Sequence, residues 1–408
     1  MSLKKYIGNR AFYRHVLAIA VPIMVQNGIT NFVNLLDNIM VGTTGTEPMS
    51  GVSIVNQFIF IFNLLIFGAI AAAGIFTAQY HGSGDVEGVR HTFRFKILIC
   101  TAATLACGVI FFFFADPLIS LFLHDGSETG DLAATLMWGR EYLMVMLIGL
   151  LPYALAQVYA STMRETGETV KPMIASLLAV LTNFVFNSLL IFGLFGLPAL
   201  GVKGAAIATV ISRFVELLFL VLWGHTHTAR FPFLIGVYRT FRIPGTLAAH
   251  IAAKGLPLMA NELFWSLAVT LRNQCYSVRG LDVVAAQNIS STIYNVFSVV
   301  YLSLGTTISI IIGNQLGAGE IERAKDTEKK LVAFSVFCGV LTGVVLILLS
   351  PVYPMLYNTT GSVRALATYM IIVVGCTMPI GAYANAAYFV IRSGGQVMVT
   401  ILFDSAFM

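Results

Sequence analysis

The chain has 408 residues, 57% apolar and only 11% charged, with a mean hydropathy of +0.84. Water-soluble domains carry roughly 25% charged residues, so most of this surface cannot face water and an assembly of soluble domains is excluded. The net charge of +5 invites a nucleic-acid reading, but the basic residues are spaced as topology signals and not as a patch.

A membrane-crossing helix needs about 20 mostly apolar residues. Such helices are expected at 13–40, 50–80, 92–114, 132–160, 172–195, 199–224, 246–275, 283–315, 327–350 and 364–391, and an eleventh begins near 397. Pro22, Pro152, Pro257 and Pro379 fall inside these stretches and should kink them. Of the 24 Lys and Arg residues, 18 fall at the N-terminus and in every second connection, against 3 in the opposite connections. That bias predicts a cytoplasmic N-terminus in a multi-pass protein of the plasma (inner) membrane.

The five cysteines lie in or beside apolar segments and form no CxxC pair, which speaks against a disulfide framework or a zinc site. No cleavable leader is expected, because the first apolar stretch is long and many more follow.

The chain contains a weak duplication at an offset of 235 residues. Pro22 and Met24 fall on Pro257 and Met259, Leu36 on Leu271, and Asn38 on Asn273. Gly82-Ser-Gly84-Asp85-Val86-Glu87 falls on Gly317-Ala-Gly319-Glu320-Ile321-Glu322. The offset spans an even number of helices, so the two copies share one orientation, a recurring transporter plan. The expected fold is an all-α polytopic membrane protein with two parallel six-helix lobes. The lobes are drawn as 1–224 and 246–408, joined by a cytoplasmic linker at 225–245. The second copy runs out early, so the last one to two helices, roughly 50–60 residues at this repeat length, are expected to be missing.

A charge in mid-span costs about 2.5–3.5 kcal/mol on insertion scales, so each one needs an account. Asp37 lies in the outer part of the first helix among Asn31, Asn34 and Asn38. It reads as a cation or proton site, or else as a carboxylate snorkelling at the helix end. Glu262 follows Pro257 by five residues and falls on Asn27 in the repeat. It either satisfies backbone groups freed by the proline or serves as a titratable coupling group. Asn183 and Asn187 share one face of the fifth helix. They could offer carbonyl oxygens to a small cation or bond to another helix. Arg213 and Glu216 are spaced to pair on the sixth helix. Arg272 occupies the repeat position of Asp37 and is expected to snorkel outward.

Tyr294, Phe297 and Tyr301 form an aromatic stripe on the eighth helix, and Trp265 lies on the seventh. Aromatic faces hold organic cations, but such stripes more often pack. With Asn34, these four residues are the candidates for a substrate cavity. The Gly82-Ser-Gly84 loop lacks the strand and Lys-Ser tail of a phosphate cradle, and its twin marks it as a structural turn. The charges after each turn suggest a short interfacial helix.

These features resemble the multidrug and toxic compound extrusion (MATE) family. The residues that carry the likeness are Pro22 through Asp37-Asn38-Ile-Met40-Val-Gly42, Gln79-x-x-Gly82-x-Gly84 with its echo Gln315-Leu-Gly317-Ala-Gly319, and Leu200-Gly201-Val-x-Gly204-Ala-Ala206-Ile-Ala-Thr209. Arg164-Glu-x-Gly167 and Arg392-Ser-Gly394-Gly395 occupy matching places in the two halves. The resemblance implies two six-helix lobes around a central cavity open alternately to each side. It implies efflux of amphipathic, cationic drugs or toxic metabolites in exchange for protons or sodium ions.

In one branch of that family the cation site is an aspartate of the first helix with an asparagine and an aspartate of the fifth. Asp37 and Asn183 match, Asn187 stands where the second acid would be, and Thr209 is a neighbour. Sodium, if bound, would sit at Asp37, Asn183 and Asn187. In another branch a glutamate of the seventh helix acts with an aspartate of the tenth. Glu262 matches, but the tenth helix holds no acid between Arg364 and Arg392. The expected partners are a small-molecule substrate, a proton or sodium ion and the lipid bilayer, with no nucleic acid, no cofactor beyond bound sodium, and a monomeric state.

Two other classes are weighed. A flippase for a lipid-linked precursor would need several basic groups for pyrophosphate, and only Arg213 and Arg272 are within reach of a cavity. A membrane-embedded enzyme would need a catalytic cluster at membrane depth, yet Asp37 and Glu262 fall in different lobes and no histidine is deep.

Overall fold

The structure, a computed structural model, describes residues 5–123, 131–196, 198–357 and 359–405. The described residues are helical and contain no strand. Twelve helices follow in order: α1 (Arg10–Gly42), α2 (Thr46–Gly82), α3 (Val86–Phe113), α4 (Ala115–Ser120), α5 (Leu132–Glu165), α6 (Val170–Phe192), α7 (Gly201–Thr226), α8 (Gly245–Ser277), α9 (Leu281–Gly317), α10 (Ile321–Leu349), α11 (Gly361–Ser393) and α12 (Val397–Ser405). Among the described residues, nine helices are long and apolar enough to cross a membrane. Helix is the form that satisfies every backbone N–H and C=O inside the segment, which hydrocarbon demands.

The long helices match the sequence expectation within a few residues, with two differences. The short α4 was not anticipated. The charged residues after each Gly-x-Gly turn open α3 and α10 directly and form no interfacial helix of their own. Pro22, Pro152, Pro257 and Pro379 lie inside α1, α5, α8 and α11, where the sequence placed them.

Helix starts are fixed locally. Asp131 caps α5 by accepting from the backbone N–H of Ala133 and Ala134, and Thr360 accepts from Val363 at the start of α11. Large apolar side chains such as Phe112, Phe113, Leu181, Phe337, Leu348 and Ile380 stand exposed along the helices. Apolar exposure on this scale marks a surface made for lipid.

The chain divides into two compact units. The amino-terminal unit comprises 29–77 and 86–255, and the carboxy-terminal unit comprises 1–28, 78–85 and 256–408. The division therefore cuts α1 after Gly28 and takes the tip of α2 into the carboxy-terminal unit, so the units differ from the lobes drawn at 1–224 and 246–408. In the amino-terminal unit α7 packs along α5 and α6, and α3 packs on α5. In the carboxy-terminal unit α9, α10 and α11 pack on one another.

The stretch expected to be a linker is anchored to the amino-terminal unit. Arg90 donates to the Phe233 carbonyl at 3.1 Å and Arg94 to that of Val237 at 2.8 Å. Arg230 pairs with Glu168 at 2.6 Å, and the Tyr238 hydroxyl bonds to that of Tyr159. Burial pushes the Tyr238 phenol up from its ordinary pKa, so it stays a neutral hydrogen-bonding group.

Both Gly-x-Gly turns close the same way. Gly84 and Gly319 adopt φ +76° and +74°, a left-handed conformation that releases the chain from helix without a Cβ clash. Within the carboxy-terminal unit, the Gly82 Cα lies against the Asn314 carbonyl and the Gly317 Cα against the Gln79 carbonyl. Gly82 and Gly317, like Gln79 and Asn314, are 235 residues apart, so the contact is reciprocal in the terms of the repeat.

Candidate functional site

The amino-terminal unit holds the polar constellation. α6 places Asn183 and Asn187 one turn apart on one face, 4% and 1% exposed. The Asn187 amide donates to the Asp37 carboxylate at 2.6 Å and to the Asn183 carbonyl oxygen at 3.0 Å. The Asn183 amide donates to the Thr209 hydroxyl of α7 at 3.2 Å. Three helices, α1, α6 and α7, thus meet through side-chain hydrogen bonds that run from Asp37 to Thr209. Asp37 does not stand alone at a helix end, so the snorkelling reading gives way to a carboxylate held by the Asn187 amide.

Asp37 and Thr209 line a cavity of about 280 Å³ together with Asn56 and Asn63 of α2, Tyr142 of α5 and Arg213 of α7. Tyr142 donates to the Asn56 carbonyl oxygen at 3.4 Å. Two buried amide oxygens, Oδ1 of Asn63 and Oδ1 of Asn187, have no hydrogen-bond partner. Buried acceptors are seldom left unpaired, so these oxygens are available to a donor or a cation. The site offers one carboxylate, two free amide oxygens and two hydroxyls in a partly dehydrated space. That set has the chemistry to load and release a small cation.

Asp37, Asn183, Asn187 and Thr209 are therefore brought together. Glu262 is not among them: it lies half-buried on α8 in the carboxy-terminal unit, and its repeat equivalent Asn27 donates to the Ser303 hydroxyl at 3.0 Å. Trp265 is 39% exposed on α8 and Arg272 is exposed near the end of that helix. The aromatic stripe takes the packing role. Tyr301 is 6% exposed in a core with Ile293, Leu346, Ile371, Met378 and Ala382, against which Tyr294 and Phe297 also pack. The Tyr294 and Tyr301 hydroxyls bond to each other. The side chain of Asn34 lies outside the described residues.

Two features escaped the sequence reading. Lys96 counts as a loop residue in the charge tally, yet it sits well inside α3, fully buried, bonded to Glu165 and donating to Thr162 at 3.1 Å. Its position inside the apolar run from Phe93 to Cys100 was the available signal. Arg213 and Glu216 interact electrostatically, as expected, but the direct contact of each is with another residue. Arg213 stands 4.3 Å over the Tyr153 ring, and Glu216 accepts the Ser176 hydroxyl at 2.8 Å.

Comparisons with known proteins agree with this architecture. The MatE family model matches residues 22–189 and 257–404, two segments whose starts are 235 residues apart. The "Probable multidrug resistance protein NorM" of Thermotoga maritima is 24% identical over 340 residues, 82% of this chain and 70% of that protein. The "Multidrug resistance protein MdtK" of Edwardsiella ictaluri is 25% identical over 364 residues, 88% and 77% of the two chains. A mutant of the Vibrio cholerae MATE transporter VcmN superimposes with a TM-score of 0.87 at 17% identity, over 97% of this chain and 86% of that one. An outward-facing multidrug resistance MATE transporter gives 0.83 at 18%, over 98% and 86%. At these identities the solved structures establish the fold. Matched by the family model over most of its length, the chain belongs to the MatE family and is a multi-pass membrane transporter of the multidrug efflux type, not an enzyme.

Proposed function

We propose that the protein is a secondary active antiporter that exports amphipathic, cationic drugs or toxic metabolites in exchange for protons or sodium ions by alternating access. It works as a monomer in the inner membrane with its N-terminus in the cytoplasm, as the basic-residue bias predicts. The observation that carries the reading is the Asp37–Asn187–Asn183–Thr209 chain of hydrogen bonds beside a cavity.

Asp37 supplies the negative charge that a proton or sodium ion neutralises. Empty, the carboxylate is held by the Asn187 amide. A sodium ion would compete with that donor, and rotation of the Asn187 amide would turn its unpaired oxygen toward the ion. A proton would weaken the same bond by removing the charge it is made to. Either event changes how α1 is tied to α6 and α7, which is the differential interaction a conformational switch requires. Each pH unit supplies about 1.36 kcal/mol per proton, enough for a tenfold substrate gradient. Glu262, Asn34 and Trp265 remain candidates for coupling and for substrate contact on α8 and α1.

Transport in inside-out vesicles tests the reading. Asp37→Asn should abolish ion-driven uptake of a cationic dye while the protein still elutes as a folded species. Unchanged uptake would remove Asp37 from the mechanism. A pH step that drives uptake in sodium-free buffer would assign the proton; uptake only with a sodium gradient would assign sodium.

A further inference from the structure

α7 extends the site one turn past Thr209. Arg213 lines the same cavity as Asp37, and among the described lining residues these two are the one basic and the one acidic side chain. The guanidinium rests 4.3 Å over the Tyr153 ring, an attraction that is strongest away from water. The arginine stem runs close beside Gly149 of α5, where an added methyl would come within 3.4 Å of the Arg213 Cδ. Arg213 is thus seated by the fold and not left to swing in solvent.

Its field reaches two carboxylates. It acts on Asp37, which lines the same cavity, and on Glu216, which is buried at 8% exposure and bonded to Ser176. Arg164 follows, interacting with both Glu216 and Glu165, and Glu165 pairs with Lys96. The charges alternate along the unit as Asp37, Arg213, Glu216, Arg164, Glu165 and Lys96. Such alternation lets charges persist where isolated ones could not. It also means that a positive charge placed on Asp37 must displace the influence of one already there.

We infer that Arg213 is a resident cation of the Asp37 site, shared with Glu216, which competes with the transported cation and holds the site's cation affinity low enough for release. The inference rests on the reading of Asp37 as the coupling carboxylate. Coulomb repulsion inside a partly dehydrated cavity is poorly screened, so the effect on affinity should be large. Arg213 acts here as a positioning residue, through Asp37, and not by touching the cargo.

The test is sodium binding to the purified full chain at fixed pH, by equilibrium binding of radioactive sodium. Arg213→Gln should bind sodium at least about tenfold more tightly than the unaltered protein. Asp37→Asn in that background should erase the gain. Arg213→Lys, which keeps the charge, should behave as the unaltered protein, an outcome that a merely structural role would not produce. Glu216→Gln gives the opposite sign: freed from its second partner, Arg213 should weigh more on Asp37 and weaken sodium binding. Equal sodium affinity in Arg213→Gln and the unaltered protein overturns the inference, as does a gain that survives Asp37→Asn. If Arg213→Gln does not fold, unchanged or tighter binding by Glu216→Gln overturns it. Because no transport is involved, these outcomes are separate from the vesicle experiment, in which coupled uptake by Asp37→Asn would sink the underlying site assignment.

Discussion

The two copies of the repeat keep the same turns and carry different polar chemistry. At the tips of α2 and α9, Gly84 and Gly319 share one φ to within a few degrees, and Gly82 and Gly317 make the same contact with each other's copy. Elsewhere the copies part. Asp37 of the amino-terminal unit is tied to Asn187, whereas its counterpart Arg272 is exposed. The interior of the amino-terminal unit carries Lys96, Asn183, Asn187 and Glu216, while the stripe on α9 packs as an apolar and aromatic core. Backbone sterics leave few ways to end a helix or bring two helices into contact, so duplication preserves those devices. Charge placement is freer, and the two copies differ in it.

The largest expected effect strikes the charged side of this contrast. Lys96→Met removes a fully buried ammonium from its bond to the half-buried Glu165, and breaking a pair in this way costs about 3–5 kcal/mol. Thermal unfolding of the purified protein measures it. Adding Glu165→Gln to Lys96→Met should recover much of the loss; no recovery would show that the packing of the lysine stem, and not its charge, matters.

Next come the shared devices. Gly82→Ala and Gly317→Ala each push a methyl into a facing carbonyl, at a cost of about 1–3 kcal/mol to the arrangement described. Equal losses in thermal stability would confirm that the reciprocal contact is symmetric, and a large inequality would break the equivalence of the two tips. Gly84→Ala meets no neighbouring atom but must hold a left-handed conformation, which costs roughly 1–2 kcal/mol. Gly319→Ala should match it.

The smallest effect belongs to the aromatic core. Tyr301→Phe loses the bond to Tyr294 and keeps its packing, so about 0.5–1.5 kcal/mol is expected, with dye export unaltered. A change in substrate profile would return the stripe to the list of cavity residues and weaken the contrast between the copies.

Much of the site was legible from spacing alone. Asp37 is conspicuous because a carboxylate is costly in an apolar helix, and Asn183 and Asn187 declare a common face by their separation of one turn. Arg213 was visible too, but helix geometry pointed only to Glu216 and not to the direct contacts of either side chain. Periodicity reports which residues share a face on one helix; it does not report the ring of Tyr153 or the hydroxyl of Ser176 on neighbouring helices. Lys96 was misread for the same reason. A lysine near a helix start looks like a loop charge until α5 is packed against α3 and Glu165 comes into reach.

Sequence by itself determined the membrane class, the helix order, the duplication and the acid that needed explaining, because hydropathy, turn glycines and mid-span charges act locally along the chain. Tertiary structure alone decided that α1 is shared between two compact units, that the aromatic stripe is core, and that Asp37 has an arginine for a neighbour. Those outcomes depend on which helix faces meet, and that is set by the packing of side chains from distant parts of the chain.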